Sequence, residues 1–181
     1  YFRQNFSQVT NPPIDSLREN KVMSLKTRFG NLGNILDFDN LTEENIYVLD
    51  SPVLTNSQFK KFKKFFSKKT KVIDCTFDIK SSLKDRIEAI REDAETSVRE
   101  GSTCLILSDK NITNQRASIP SILIVGAVHS HLVKLGLRGY CSLNVECSDA
   151  MDTHSFAVLI GVGATTVNPY LAIDSIYQRF E

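Results

Sequence analysis

Short apolar runs alternate with longer segments of helical periodicity over most of the chain. The clearest short run covers residues 103–107, Thr-Cys-Leu-Ile-Leu, and stops at Ser108 and Asp109. A polar loop follows, and a long apolar stretch of helical character begins near Ile119 and Pro120. An unbroken apolar run of this length is typical of a strand that is covered on both faces. Strands of this kind belong to parallel sheets built from repeated βα units.

The same strand-then-helix pattern recurs from residue 55 onward, at spacings of about 25–40 residues, which suit consecutive βαβ steps. We predict strands over residues 71–77, 103–107, 140–146 and 164–168, and helices over residues 55–66, 82–100, 120–135, 153–160 and 169–180. The predicted fold class is therefore α/β, with repeated βα units and mostly parallel strands. Four such units form either half of a (β/α)8 barrel or a small open sheet, and the sequence leaves both open.

The beginning of the chain lacks this repeat. We predict a single domain over residues 1–181, in which residues 1–54 form an N-terminal segment and residues 55–181 form the βα core. Two prolines follow Asn11, and their missing amide donors exclude a helix interior there. One helix is predicted over residues 15–29, with loops in the rest of the segment.

Overall charge and hydropathy argue against two classes of partner. The net charge of +1 provides no overall attraction to nucleic acid or to an anionic membrane. No apolar run approaches the ~20 residues that span a bilayer. We therefore expect neither a nucleic-acid nor a membrane partner. The chain begins at Tyr1 without an initiator methionine, and we expect it to be part of a larger polypeptide.

The cysteines show no redox or metal-binding pattern. They form no CxxC pair and lie in or beside apolar runs, as Cys75, Cys104, Cys141 and Cys147. We predict buried free thiols in a reducing cytoplasm rather than disulfides or metal ligands.

Every predicted strand is followed by an acidic or amide side chain. These residues are Asp78, Asp109, Glu146 with Asp149, and Asn168. Functional residues of parallel α/β folds lie at the carboxyl ends of the strands, so this set is a candidate metal or acid–base site of a freestanding α/β enzyme or small-molecule-binding domain. The alternative is that they cap the helices that follow. The absence of a recognisable ligand spacing favours capping.

Histidine and glycine motifs favour structural roles. His129 and His131 are two residues apart on a predicted helix, point to different faces and therefore do not chelate one metal. Gly161 and Gly163 resemble a phosphate-binding turn, but they lie between a helix and a strand, whereas a phosphate loop runs from strand to helix. We expect them to end the helix and to form the turn into the next strand.

Positive charge is concentrated in one helix. Seven lysines occur in the stretch over residues 60–71, interleaved with phenylalanines at helical spacing. The stretch is a candidate surface for RNA or anionic lipid, which would make the chain an interaction module. The spacing of the phenylalanines favours an ordinary amphipathic helix with a solvated basic face.

Four stretches resemble the central domain of the large subunit of glutamate synthase. They occur in the order and spacing of that family and cover most of the chain, except for a looser match over residues 31–70. They are Tyr1-Phe-Arg-Gln with Gln8–Glu19 (QVTNPPIDSLRE), Leu105–Asp109 with Ile119–Ser121, Ala127–Leu132, and Phe156–Ala172.

The resemblance implies a connecting role. In that family a glutaminase domain releases ammonia, which passes through a tunnel to an FMN-bearing barrel. There 2-oxoglutarate is aminated and reduced with electrons from NADPH or ferredoxin through iron–sulfur clusters. The central domain is a non-catalytic α/β unit that resembles an incomplete barrel and joins these two domains, with the small subunit or ferredoxin as a further partner of the whole enzyme. The implied location is the cytoplasm, or a plastid for a ferredoxin-dependent plant enzyme.

Other parts of the full enzyme have no counterpart here. There is no N-terminal cysteine nucleophile, no cysteine cluster and no complete flavin barrel. We therefore expect this chain alone to be inactive and to bind no FMN, iron–sulfur cluster or metal.

The first motif is the candidate tunnel lining. An ammonia tunnel needs neutral hydrogen-bonding groups, because a carboxylate would hold the molecule as ammonium. The candidate lining residues are Gln8, Thr10, Asn11, Pro12 and Pro13, in which the prolines stiffen the backbone without adding donors. Arg18 and Glu19 are expected to form ion pairs that orient the segment. The alternative is that this motif is only a rigid turn into a helix.

Overall fold

The computed structural model describes residues 14, 15, 17, 19, 23–30, 36 and 46–180. Its strands are β1 (Thr27–Phe29), β2 (Tyr47–Leu49), β3 (Thr70–Asp74), β4 (Thr76–Asp78), β5 (Cys104–Ser108), β6 (Arg116–Ser118), β7 (Ser142–Glu146) and β8 (Thr166–Asn168). Its helices are α1 (Asn56–Phe65), α2 (Leu83–Arg99), α3 (Ser121–Lys134), α4 (Thr153–Gly161) and α5 (Tyr170–Phe180). Short 3-10 turns lie at Ser67–Lys69 and Arg138–Tyr140.

A parallel sheet of four strands, in the order β3–β5–β7–β8, lies at the centre. Backbone hydrogen bonds extend it beyond β8. The amide of Leu54 donates to the carbonyl of Val167 at 2.8 Å, and the amide of Val167 donates to the carbonyl of Pro52 at 2.9 Å. The α/β prediction is confirmed, and within the described residues the sheet is open rather than closed into a barrel.

Side chains from both faces of the sheet are buried. In β5, Leu105 and Leu107 point to the face covered by α2, α3 and α4, whereas Cys104 and Ile106 point to the face covered by α1. Full burial of one leucine contributes about 1.5–3 kcal/mol. Burial on both faces explains why β5 is apolar at consecutive positions instead of alternating.

Helix α1 begins where the sequence predicts and carries an aromatic cluster. Thr55 and Gln58 form a capping box, in which the Thr55 amide donates to Gln58 Oε1 at 2.9 Å. Phe59 and Phe62 are fully buried. The ring of Phe62 meets the ring of Phe29 edge-on, with centroids 5.0 Å apart, so α1 also packs against β1.

The helix predicted over residues 15–29 is wrong at its end. Leu17 and Glu19 are helical, but Thr27–Phe29 is strand β1 and pairs antiparallel with β2, which lies in a predicted loop. Phe29 and Leu49 are the buried residues of these strands, and both pack against the aromatic side chains of α1. These long-range contacts outweigh the local helical pattern.

The predicted strand over residues 71–77 is divided at Cys75. Its first part is β3, and its second part, β4, leaves the parallel sheet to pair antiparallel with β6, a strand that the sequence analysis missed. The amide of Cys75 donates to the carbonyl of Ser108 at 2.8 Å, and its carbonyl accepts from the amide of Ile119 at 2.9 Å. These bonds hold the chain at the point where it turns away from β5.

The starts of α2 and α4 agree with the predicted ranges, and each is capped by a side chain. The hydroxyl of Ser82 accepts from the amide of Asp85 at the start of α2, and Asp152 accepts from the amide of Ser155 at the start of α4. Gly163 follows α4 with φ of +126°, and a Cβ at this position would collide with the His129 ring. The turn into β8 therefore requires glycine. None of the helices in the described part of the chain combines the length and apolar character needed to cross a bilayer.

Candidate functional site

The predicted tunnel-lining residues, Gln8, Thr10, Asn11, Pro12 and Pro13, lie outside the described residues, as does Arg18. Glu19 is described: it lies in a helical turn with an exposed side chain. Its amide donates to the carbonyl of Asp15 at 2.9 Å, and its carbonyl accepts from the amide of Met23 at 2.8 Å. The tunnel role of this segment therefore stays a prediction.

The carboxyl edge of the parallel sheet holds a group of buried polar side chains. At its centre is Glu146, the last residue of β7, which is only 3% exposed. Its Oε1 lies 3.0 Å from Nζ of Lys63 and 3.0 Å from Nζ of Lys110, and its Oε2 accepts from the Ser108 hydroxyl at 2.8 Å. Both carboxylate oxygens are thus occupied by donors from the protein itself.

The donors outweigh burial in setting the ionisation of Glu146. Burial alone would raise its pKa, but the hydrogen bonds from Lys110, Lys63 and Ser108 hold the pKa below its ordinary value. The side chain is therefore held as a carboxylate at neutral pH. Such a group accepts hydrogen bonds and does not donate a proton.

Each lysine of this group is also packed against an aromatic ring. Lys63 comes from the lysine-rich helix α1, and its ammonium lies 4.9 Å from the centre of the Phe59 ring. Lys110 follows β5, and its ammonium lies 4.9 Å from the centre of the Tyr170 ring at the start of α5. Contacts of this kind contribute roughly 0.5–2 kcal/mol. The cluster therefore ties α1, β5, β7 and α5 together.

Asp109 is the neighbouring buried carboxylate. Its Oδ2 accepts from the amide of Ser148 at 2.8 Å and from the Ser148 hydroxyl at 2.6 Å. Its Oδ1 is buried without a partner of good hydrogen-bond geometry among the described residues. Burial first, and then the charge of Asp109 and a hydrogen-bonding interaction with it, raise the pKa of Tyr170 well above its ordinary value.

Two further strand-end residues fasten loops to helices. Asp149 accepts from both the amide and the hydroxyl of Ser121, at 2.9 and 2.6 Å, and so supplies the cap that Pro120 does not provide at the start of α3. Asn168 donates to the carbonyl of Leu54 and to Oδ1 of Asn56, each at 2.9 Å. Both residues thus hold the fold together, but neither caps the helix that follows it, as the capping alternative predicted: Asp149 caps α3, which precedes it, and Asn168 bonds at the start of α1.

Asp78 does not belong to this group, which corrects the sequence analysis. It ends β4 and is exposed, because the chain leaves the parallel sheet at Cys75. Asp74 ends β3 instead, and its Oδ2 forms an ion pair with Arg116 at 2.9 Å. Burial acts to raise the pKa of Asp74, but hydrogen bonds, chiefly from Thr76, and the charge of Arg116 lower it overall.

The histidines and cysteines lie elsewhere. His131 links α3 to α2 through Glu95, with 2.9 Å between His131 Nε2 and Glu95 Oε2, whereas His129 accepts from Arg138 Nε at 3.2 Å. All four cysteines are free and buried, as predicted. Within the described ranges, no group of three or more His, Cys, Asp or Glu side chains is placed to hold a metal ion.

A cleft of about 1250 Å³ opens at the opposite, amino edge of the sheet. Its lining includes four cationic side chains, Arg28, Lys68, Lys69 and Arg138. The Arg138 guanidinium is bound internally, to the carbonyls of Cys141 at 2.6 Å and Gly163 at 2.9 Å. It therefore ties the starts of β7 and β8 together.

Comparison with known proteins adds the following. The family model described as glutamate synthase central domain matches residues 1–181. The chain is 53% identical over 182 residues to the glutamate synthase [NADPH] large chain of Azospirillum brasilense, covering 99% of this chain and 12% of that protein. It is 41% identical over 184 residues to the chloroplastic ferredoxin-dependent glutamate synthase of Spinacia oleracea, covering 98% of this chain and 11% of that protein. It is also 41% identical over 187 residues to the glutamate synthase [NADPH] large chain of Bacillus subtilis (strain 168), covering 100% and 12%. The chain thus spans only a small part of each relative.

Proposed function

We propose a connecting role for this chain, which belongs to the glutamate synthase central domain family. In the proposed role it is a non-catalytic unit that joins the glutaminase domain of the large chain to the FMN-bearing domain and contributes to the wall of the ammonia tunnel. The small subunit or ferredoxin is a partner of the whole enzyme. The proposed setting is the cytoplasm, or a plastid for a plant enzyme such as the chloroplastic spinach relative.

The observation that carries the proposal is the state of Glu146. A catalytic carboxylate needs a lone pair or a proton that reaches the substrate, and a pKa near the working pH if it is to exchange protons. Glu146 instead lies buried with both oxygens occupied and its pKa lowered. A carboxylate used in this way holds elements of the same chain together, which supports a non-catalytic role for this site.

The relatives support a role that is independent of the electron donor. The chain matches an NADPH enzyme by name and a ferredoxin-dependent enzyme by name over nearly its whole length. A domain present in both classes is better suited to a step that they share than to contact with either donor. Ammonia transfer between the two catalytic domains is such a step.

The tunnel role is tested by Thr10→Trp in the full-length enzyme. A bulky ring in the lining should block transfer, so more glutamine should be hydrolysed for each glutamate formed. Thr10→Ser, which keeps the hydroxyl and adds no volume, is the matched control and should remain coupled. Coupling in Thr10→Trp that equals the wild-type value would show that this residue does not line the tunnel.

A second candidate function is small-molecule binding at the strand-end carboxylates. The observation that favours it is Asp109 Oδ1, which is buried and receives no hydrogen bond of good geometry from the described residues, because a poorly satisfied buried acceptor is destabilising. Thermal unfolding with Mg²⁺, FMN or a nucleotide tests this candidate. A rise in Tm that Asp109→Asn abolishes would support it, and unchanged Tm values with all three would exclude those ligands.

A further inference from the structure

Helix α5 carries one continuous apolar face. Its apolar and aromatic side chains recur at helical spacing, as Tyr170, Ala172, Ile173, Ile176, Tyr177 and Phe180. The other side of the helix carries Leu171 and the polar residues Asp174, Ser175, Gln178 and Arg179. A stripe of this kind is the pattern of a helix that packs against a partner over its whole length.

Only the first turn of this face has a partner among the described residues. Ala172 is 7% exposed, and the Tyr170 ring is held under the Lys110 ammonium. The helix is also tied down at this end by Asn56, whose side-chain amide donates to Asp174 Oδ1 at 2.7 Å. The start of α5 is therefore anchored at the carboxyl edge of the sheet.

The remaining two turns present the same face to solvent. Ile176 is 60% exposed, Tyr177 is 57% exposed and Phe180 is 80% exposed. Single exposed apolar residues are ordinary, but three adjacent ones that continue a covered stripe form a patch that marks an interaction site.

We propose that Ile176, Tyr177 and Phe180 form a docking surface for an apolar surface in another part of the same large chain. The inference rests on the proposed connecting function. The exposed part of the apolar face continues a part that is already covered within the chain, which indicates that it is covered too. The occupant is selected by length, because the chain spans only 12% of the Azospirillum large chain. Two adjacent aromatic anchors fit a hydrophobic groove, with a hydrogen-bond acceptor at its rim for the Tyr177 hydroxyl.

Cysteine accessibility in the full-length enzyme tests the proposal. Ile176→Cys and Phe180→Cys lie on the stripe, and Gln178→Cys, on the opposite side of the same helix, is the matched control. The alkylation rate of each site by iodoacetamide is measured by peptide mass spectrometry, in the native enzyme and after unfolding in urea. For each site, the rate in the native enzyme is divided by the rate at the same site after unfolding. This ratio should be at least about tenfold lower at positions 176 and 180 than at position 178.

Two results would overturn the proposal. The first is alkylation at positions 176 and 180 as fast as at position 178 in the native enzyme. The second is protection that disappears when the enzyme is diluted, which would assign the surface to a second copy of the chain. Because the readout does not involve activity, it is independent of the Thr10→Trp result. If the Thr10→Trp result ruled out the tunnel role, positions 176 and 180 could still be protected from alkylation. If those positions were accessible, the tunnel role would still stand.

Discussion

The carboxylate of Glu146, at the end of β7, lies 3.0 Å from the ammonium of Lys63, which precedes it by 83 residues in the chain. The pair joins a helix on one face of the sheet to the last residue of a central strand. Glu146 is almost fully buried, so its carboxylate has lost most of its hydration. The loss is offset only while Lys63, Lys110 and Ser108 donate to it.

Removing this charge should destabilise the fold. We expect Glu146→Gln to lower the free energy of unfolding by about 1–3 kcal/mol, less than a fully buried pair would lose, because Lys63 and Lys110 are partly exposed. Urea unfolding measures the change. Asp50→Asn, which breaks an exposed pair with Lys26, is the control and should change stability by less than about 0.5 kcal/mol. Equal effects of the two substitutions would contradict a structural role for Glu146.

The same carboxylate predicts a pH dependence. Because the pKa of Glu146 is lowered from 4.5 in the folded chain, the unfolded chain binds more protons as the pH falls. The stabilisation is therefore complete above the unfolded value and is lost as the pH falls through the folded value. Urea unfolding between pH 7 and about pH 3 should show this decline, and it should be shallower in Glu146→Gln. A decline of the same steepness in both proteins would assign it to other groups, such as Asp74.

The turn between α4 and β8 should not accept a side chain. Gly163→Ala combines a positive φ with a collision against His129, and we expect it to destabilise the protein by about 1–3 kcal/mol. Gly126→Ala in α3 is the matched control, since nothing obstructs a Cβ there, and it should stabilise the protein by about 0.5–1 kcal/mol. Thermal unfolding compares the two. A Gly163→Ala protein as stable as wild type would show that the His129 ring moves aside without loss.

The native cysteines should be unreactive in the folded chain. Burial raises the pKa of Cys75 and of Cys147 to about 12, so almost no thiolate forms at neutral pH. A chromogenic disulfide reagent should therefore detect the four thiols only after unfolding in urea. Rapid reaction of any of them in the native protein would show that its strand opens locally.

Most elements of the core follow from local patterns. The run over residues 103–107 predicts a doubly covered strand, and Thr55, Ser82 and Asp152 mark helix starts, because caps depend on backbone groups within a few residues. The family resemblance also rests on short motifs, and the match over residues 1–181 confirms it. The strand-end carboxylates are partly predictable, since parallel strands place their carboxyl ends at one edge.

Long-range contacts decide the rest. Nothing near Lys63 in the sequence distinguishes it from the other lysines of α1, and only the packing of α1 across the sheet brings it to Glu146. The chain leaves the parallel sheet at Cys75, and this likewise depends on the pairing of β4 with β6, about forty residues away in the chain. The sequence by itself determined the α/β class, the helix starts and the family, because each depends on neighbouring residues or on contiguous motifs. The tertiary structure alone decided which charges are paired at the carboxyl edge of the sheet and which apolar face is left open, because both depend on distances between segments that are remote along the chain.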